Sequence, residues 1–387
     1  MSVVIVGGGQ GGFQAAASLR AEGYEESITI IGEEPHLPYQ RPPLSKGMLL
    51  GKQEERHAIL RTAEFYQTQR IDLIIGERVS AIEPSRVRLA SGATVSYSKL
   101  ILATGARNRP LKLPGAEHVC YLRTLHESAE VKRRMAEAQE VVVIGGGFIG
   151  LEVAAAARAL GKNVTVMEAG PRLMARVVAP VVSEYFRSQH ETRGVRVRLN
   201  AGMERVEKSA GELVVAGIGV LPNDELARAG GLAVGNGIAV NERLETSDPN
   251  IFAIGDCAEY PNPYAGARVR LESVQNAIDQ AACVAKNITG KPTIYDAAPW
   301  FWSDQFDIHL QMVGLAPGFD QTVTRGDPAS NKFSVLYYRD GLLKSVDSIN
   351  RAAEHMTARK LIAARAQVSP EQAADESFDL KSAIIPK

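Results

Sequence analysis

The sequence predicts an α/β protein: two open, parallel sheets of the doubly wound kind, followed by a smaller C-terminal α+β domain. Three observations predict it. A strand, a glycine turn and an Ala-rich helix follow one another twice, as VVIVGGGQGGFQAA from Val3 and as VVVIGGGFIGLEVAA from Val141. Each copy leads into a further apolar strand, SITIIG and NVTVMEAG. Beyond residue 297 the texture changes, and FSVLYYRDGLLKSVDSIN sets two strand-like runs around Asp340-Gly341, a hairpin signal.

The elements follow in order. Residues 3–6 are apolar and β-branched, as in a strand buried on both faces, and 13–21 form an Ala-rich helix. KLILATGA (99–106) is another buried strand that closes the first block. Pro110, Pro114 and Gly115 then mark a crossing between blocks. The second block repeats the plan, with EVVVIGGG as strand, FIGLEVAAAARALG as a helix ending at Gly161, and NVTVMEAG as strand. LVVAGIGVLPN (213–223) matches LILATGARNRP (100–110) in kind: a buried strand, a glycine turn, then proline. The blocks therefore read as internal copies of one architecture. TSDPNIFAIGDCAE (246–259) is one more buried strand, ending in Gly-Asp, before a helix over 273–288. In the last part LQMVGLA is a strand and 352–366 a helix.

The two turns carry chemistry. Gly7, Gly9 and Gly12 fit G-x-G-x-x-G, the fingerprint of a Rossmann-like dinucleotide grip. The first glycine permits the tight turn. The second lets a pyrophosphate approach the backbone, and the third lets helix and strand pack closely. The helix start presents free N–H groups and the positive end of its dipole to phosphates. Glu33 ends the second strand, where a carboxylate accepts ribose hydroxyls, with Glu34 beside it as the competing candidate. Gly145, Gly147 and Gly150 repeat the motif, with Glu168 in the acid position. An acid there repels a 2′-phosphate and favours NADH over NADPH. Asp256, at a strand end facing a helix start, suits a polyol hydroxyl.

Composition narrows the class. Lys+Arg and Asp+Glu both number 44, a zero net charge that argues against a nucleic-acid binder. Cys120, Cys257 and Cys283 are far apart and form no C-x-x-C pair, so neither a redox dithiol nor a metal site is expected. Reduced thiols in a cytoplasmic protein are the expectation. The first strand starts almost at Met1, leaving no room for a signal peptide. The most apolar stretch, 141–160, contains Glu152, Arg158 and a glycine cluster, which argues against a membrane span.

The order glycine turn, ATG, glycine turn, GIG, GD resembles the two-dinucleotide-binding flavoproteins of the pyridine nucleotide-disulfide oxidoreductase superfamily. More narrowly, LPYQRPPLSK (37–46), YLRTL (121–125), GGFIGLE, TSDPNIFAIGDCA, ESVQNA (272–277) and PWFWSDQ (299–305) are similar to one group of them. That group is the NADH:ferredoxin reductases of bacterial monooxygenase and dioxygenase systems, the putidaredoxin reductase type. The resemblance runs from residue 3 to about residue 350.

It implies an FAD-binding domain split over 1–107 and 236–296, an NADH-binding domain at 108–235 and a C-terminal interface domain at 297–387. By matching position it implies that Gly11 and Glu33 hold the FAD pyrophosphate and adenosine ribose. Arg41, Pro42 and Lys46 would lie along the flavin, and Val79 on the adenine side. Ala103, Thr104, Gly105 and Arg123 would line the flavin site. Asp256 would bind the ribitol, Val274 the isoalloxazine edge, and Trp302 would sit near the ring. Gly147, Ile149, Glu152 and Glu168 would belong to the NADH site.

The implied reaction passes hydride from NADH to FAD, then single electrons to a 2Fe–2S ferredoxin that serves a haem monooxygenase or Rieske-type oxygenase. An ammonium at Lys46 suits the negative charge that arrives with hydride. Glu152, one turn into its helix, would pair with Lys46 and reposition when nicotinamide arrives. Disulfide reductases and peroxidases of this superfamily place a cysteine beside the flavin, and PYQRPPLSKGML has none. Electrons would leave the flavin directly, with no cysteine set for a cluster of the chain's own.

An acidic ferredoxin calls for a basic docking patch, with Arg61, Arg268, Arg270, Arg351, Arg359 and Lys360 as candidates. A monomer or weak dimer is expected. Two other readings stay open: an NADH oxidase or rubredoxin reductase, and a non-enzymatic NADH-sensing flavoprotein resembling apoptosis-inducing factor. The chain departs from the family between Glu204 and Leu213, where a hairpin is usual and only RVEKSAGE stands. The abrupt step from one strand to the next favours omission of residues here over true loss of the hairpin.

Overall fold

The computed structural model describes residues 2–207 and 209–384. In chain order the main elements begin with β1 (Ser2–Val6), α1 (Gln10–Ala21), β2 (Ser27–Gly32), β3 (Ile71–Ile75) and β4 (Lys99–Leu102). Next come α2 (Leu125–Glu137), β5 (Glu140–Ile144), α3 (Phe148–Ala159), β6 (Asn163–Met167), α4 (Pro180–Thr192), β7 (Val195–Arg198) and β8 (Glu212–Ala216). After β9 (Ile251–Ala253) and α5 (Val274–Ile288) follow β10 (Trp300–Gln305), β11 (Ile308–Gly314), β12 (Gln321–Asp327), β13 (Lys332–Arg339), β14 (Leu342–Ile349) and α6 (Ala352–Ala364). They fall into two compact units. The first holds the chain up to Gln40, Arg56–Arg107 and Leu221–Pro299; the second holds Arg41–Glu55, Asn108–Val220 and the chain from Trp300 on.

In the first unit, β3-β2-β1-β4-β9 form one parallel sheet. Its strands are apolar on both faces because the sheet lies in the middle of the unit's core; Val4, Ile5, Leu100 and Ile101 are all buried. α1 starts at Gln10, three residues before the expected Phe13, since Gly11 and Gly12 join its first turn. The chain leaves β1 toward β2 on one side and reaches β4 on the other. That reversal opens a crevice at the carboxyl ends of β1 and β4.

The second unit contains two sheets. β7-β6-β5-β8 is parallel and repeats the same strand plan around β5; β10-β11-β14-β13-β12 is antiparallel. Asp340 (φ 54°) and Gly341 (φ 72°) are both left-handed, as a two-residue turn between β13 and β14 requires. The regions 108–235 and 297–387 share this unit apart from their flanks. The Ala179 N–H donates to the Tyr337 hydroxyl (2.8 Å) and the Tyr185 ring meets Phe333 edge-on. Residues 41–55 join them, with the Ser128 hydroxyl donating to the Leu44 carbonyl at 2.9 Å. α2, not anticipated from sequence, starts in a capping box between Thr124 and Glu127.

Between Arg198 and Glu212 the described residues contain no strand; Lys208, within RVEKSAGE, lies outside them. A groove of about 390 Å³ opens over this face of the parallel sheet, lined in part by Val142, Met167, Met203 and Val214.

Asp347 on β14 is wholly buried. Tyr337 donates to its Oδ2, and its Oδ1 has no partner among the described residues. Burial pushes the carboxyl up to about 7. Between the ordinary carboxyl range near ~4 and this value, the folded chain keeps a proton that the unfolded chain has lost. Stability therefore falls as pH rises through that window. Asp347→Asn is expected to flatten the decline of Tm between about pH 5 and 8 and to exceed the parent Tm at about pH 8. A series of thermal melts checks this.

Candidate functional site

The two glycine turns have the same geometry. Gly7 (φ 122°) and Gly145 (φ 103°) follow β1 and β5 in a conformation that side chains resist. A Cβ on Gly7 would lie 2.1 Å from the Ala103 carbonyl oxygen, and one on Gly145 would lie 2.5 Å from that of Gly217. Gly12 and Gly150 are jammed against the turn itself, at 1.9 Å from the Gly7 oxygen and 2.1 Å from the Gly145 oxygen. Gly9 and Gly147 differ. A Cβ on Gly9 would meet nothing within 4 Å, and one on Gly147 only an oxygen at 3.9 Å. Both are N-caps with no side-chain hydrogen bond, so no side chain caps the first-turn N–H groups of α1 and α3. Each turn is thus a cradle shaped for a phosphate pair, and a dinucleotide fits both. A Cβ on Gly11 would make ordinary contacts with Ile254 and Ala277.

The acids beside the turns stand differently. Glu33 is exposed just past β2, and Glu34 accepts a hydrogen bond from the Tyr39 hydroxyl at 2.5 Å. Glu168 is pinned: its two oxygens accept from the N–H groups of Gly146 and Gly170, each at 2.7 Å. That holds a carboxylate against the second turn. In the first unit, the ATG turn is clamped by Asn223. Thr104 donates to the Asn223 carbonyl at 2.6 Å, and the Asn223 side chain donates to the Thr104 carbonyl at 2.9 Å. Asp256 sits in a turn fixed by Arg270, which donates to its carbonyl, and by Gln280, which accepts from the Gly255 N–H at 2.7 Å. Val274 opens α5 directly after its Ser273 cap. Val79 is buried in the core, whereas Ile149 is an exposed apolar side chain at the start of α3.

The most concentrated chemistry in the second unit surrounds Glu152. This residue is 3 % exposed and lies one turn into α3. Lys46 Nζ stands 2.9 Å from its Oε1, and Ser303 donates to the same oxygen at 2.7 Å. Ser45 donates to Oε2 at 2.5 Å. Lys46 itself ends a 3-10 turn, Pro42–Ser45, whose first residue is a proline, a good start for a short helix. Arg41 donates to the Arg123 carbonyl, joining two more of the expected positions. β10 faces α3 with Phe301 and Ser303. Trp300 and Trp302 stand on its other face, with ring centres 5.5 Å apart. Sequence reasoning missed Ser45, Ser303 and Asn223. The sequence carries no signal for Ser303: packing alone sets Phe301 4.7 Å from the Phe148 ring, one turn from Glu152, and so brings Ser303, two residues on, to that carboxylate.

All three cysteines are free and buried. Burial pushes the Cys257 thiol up, and its Sγ donates to the Ile254 carbonyl at 3.2 Å. Among the described residues there is no cluster of His, Cys, Asp and Glu able to hold a metal, and no helix long and apolar enough to cross a membrane. Three expected docking residues have internal partners. Arg270 is nearly buried and paired with Glu272, Arg268 donates to the carbonyls of Val240 and Glu259, and Arg351 pairs with Glu354 and Glu376.

Two dinucleotide cradles, each on its own parallel sheet, define the class: a reductase that handles two nucleotide cofactors. The family described as pyridine nucleotide-disulphide oxidoreductase matches residues 1–281, and a reductase C-terminal family matches 300–384. The chain belongs to the pyridine nucleotide-disulphide oxidoreductases, whose cofactors are FAD and a nicotinamide dinucleotide. It is similar to rhodocoxin reductase of Rhodococcus erythropolis, at 48% identity over 403 residues, covering 99% of this chain and 94% of that one. It is also similar to putidaredoxin reductase of Pseudomonas putida, at 41% over 407 residues, covering 99% and 96%. Among solved structures, the ferredoxin reductase for the CYP199A2 system of Rhodopseudomonas palustris has a TM-score of 0.97 at 47% identity, over 99% of this chain and 100% of that one. A covalent putidaredoxin reductase–putidaredoxin complex gives 0.96 at 40%, over 99% and 98%. The two sequence alignments run 16 and 20 positions beyond the 387 residues of this chain, so these relatives carry residues with no counterpart here.

The contrast between open and jammed glycines yields a test. Gly147→Ala is expected to keep its flavin and its Tm but to weaken NADH binding about tenfold or more, by blocking close approach of the pyrophosphate. Gly150→Ala is expected to lower Tm as well. Nucleotide titrations and thermal melts on the two variants separate these effects.

Proposed function

We propose that this chain is an FAD-dependent NADH:ferredoxin oxidoreductase, passing electrons from NADH through FAD to a 2Fe–2S ferredoxin that serves a haem monooxygenase or Rieske-type oxygenase. The observation that carries the acceptor is the state of the thiols: three single, buried cysteines, none able to take electrons as a dithiol. Whole-length similarity to reductases named for rhodocoxin and putidaredoxin supports the same acceptor class. FAD, when bound, supplies two-electron uptake from NADH and one-electron release.

The chain's residues would divide the work as follows. The turn at Gly7, Gly9, Gly11 and Gly12 holds the FAD pyrophosphate, with Glu33 on the ribose, Asp256 on the ribitol, and Ala103–Gly105 and Val274 along the flavin. Val79 lies on its adenine side. The turn at Gly145, Gly147 and Gly150, with Ile149, takes NADH. The pinned charge of Glu168 disfavours a 2′-phosphate. Arg41, Pro42, Arg123 and Trp302 shape the flavin surroundings. Lys46, anchored on Glu152, supplies positive charge where negative charge accumulates. The FAD part comprises 1–107 and 236–296, the NADH part 108–235, and 297–387 is the interface part. Free thiols fit a cytoplasmic protein, working as a monomer or weak dimer.

Lys46→Met is expected to slow NADH-driven flavin bleaching by roughly 10²–10³ while the flavin stays bound, as loss of a charge-stabilising donor does elsewhere. Stopped-flow absorbance at the flavin band reads it. The acceptor is tested by mixing the flavin-loaded protein, NADH and a panel of ferredoxins. Turnover with the partner ferredoxin should fall steeply with salt, while turnover with ferricyanide should not. A flavin that NADH reduces, with no ferredoxin reduced in turn, would sink the acceptor assignment. Reduction of a rubredoxin in their place would favour the second reading, since rubredoxin-NAD(+) reductases are 39% identical over 90% of this chain.

A further inference from the structure

We propose that Ser303, Gln305 and His190 are positioning residues for the Lys46–Glu152 pair. They form a buried chain of hydrogen bonds whose donors all point toward Glu152 and hold its carboxylate still, so that Lys46, and not Glu152 as the sequence suggests, is the partner that moves. This rests on the role given above to Lys46 and Glu152.

The direction of the chain follows from what each group is able to donate. A carboxylate only accepts. Ser303 has one hydroxyl proton and gives it to Glu152 Oε1 at 2.7 Å. Its oxygen then accepts from Gln305 Nε2 at 3.3 Å. The amide, so oriented, turns its Oε1 to His190 Nε2 at 2.9 Å, and that nitrogen must carry the proton. Burial lowers His190 to about 4, so the ring is neutral in neutral solution, with its Nδ1 lacking a partner among the described residues. Ser303, Gln305 and His190 are all fully buried. Bonds aligned head to tail in a dry interior strengthen one another.

The chain exists because two periods match. From Phe148 to Glu152, α3 rises about 6 Å; from Phe301 to Ser303, β10 rises about 6.7 Å. The aromatic pair and the polar pair therefore fall into step, and Gln305, two residues on, reaches α4. The Glu152 side chain is 2% exposed, against 21% for Lys46. With two hydroxyl donors fixed on a buried anion and one partly exposed cation, motion belongs to the cation. The other charged groups on the packed elements are engaged elsewhere: Asp304 with His309, Arg193 with Asp307, and Arg158 with the Arg193 carbonyl.

The test titrates the Glu152 carboxyl by ¹³C NMR in flavin-loaded protein labelled at glutamate Cδ, the signal being assigned with Glu152→Gln. Ser303→Ala removes a donor from the charged form and is expected to raise the midpoint. Ser303→Thr should restore it, and Gln305→Leu should move it the same way by less. The acid limb of NADH-driven flavin bleaching should shift in parallel. A midpoint unchanged in Ser303→Ala, with or without a lower Tm, overturns the proposal; if that variant does not fold, an unchanged midpoint in Gln305→Leu does so. If Glu152→Gln itself leaves bleaching by NADH untouched, the role given to the Lys46–Glu152 pair fails, and the NMR midpoint still judges the chain.

Discussion

A buried carboxylate is the constraint on which the second unit depends. Removing an anion from water costs several kcal/mol unless donors replace the lost solvent. Glu152 finds its donors on two other segments: Ser45 and Lys46 on the loop before it, and Ser303 on the first strand of the antiparallel sheet. The loop 41–55, the second parallel sheet and the C-terminal sheet therefore answer to one side chain. They lie in one compact unit, although sequence texture assigns them to three regions.

The duplicated glycine turns show how one backbone solution serves two different grips. In both, the third glycine is jammed against the turn itself, while the second has open space before it. The difference lies in the acid. Glu33 stands exposed after β2, whereas both oxygens of Glu168 are tied to backbone N–H groups. A pinned charge discriminates between ligands more sharply than a mobile one, because it does not rotate away from a like charge.

Charge on the surface tells less than the sequence suggests. Six basic residues looked suitable for docking, yet Arg268, Arg270 and Arg351 stabilise local turns and strands. Arg359 is stacked 4.6 Å from the centre of the Trp300 ring. A guanidinium over an indole keeps its charge while losing freedom, which suits recognition better than a solvated lysine does. Zero net charge is no obstacle to docking an acidic carrier, since a local field steers association within a Debye length of ~10 Å.

The legible parts of this protein were those with a local grammar. Both glycine turns, the strands that follow them and the Asp340-Gly341 hairpin each need particular residues at fixed spacing, and each stands where its residues predicted. The Lys46–Glu152 pair was reached only through resemblance, because 106 positions separate its members. Ser303 and His190 were not reached at all. A serine inside WFWSDQ looks like strand filler, and a lone histidine in an amphipathic helix looks like core. Their meaning lies in how β10 packs against α3 and α4, which tertiary structure sets. Helix and strand periods coincide over one turn and then drift apart. The sequence holds both periods, but not the point at which they are brought into phase.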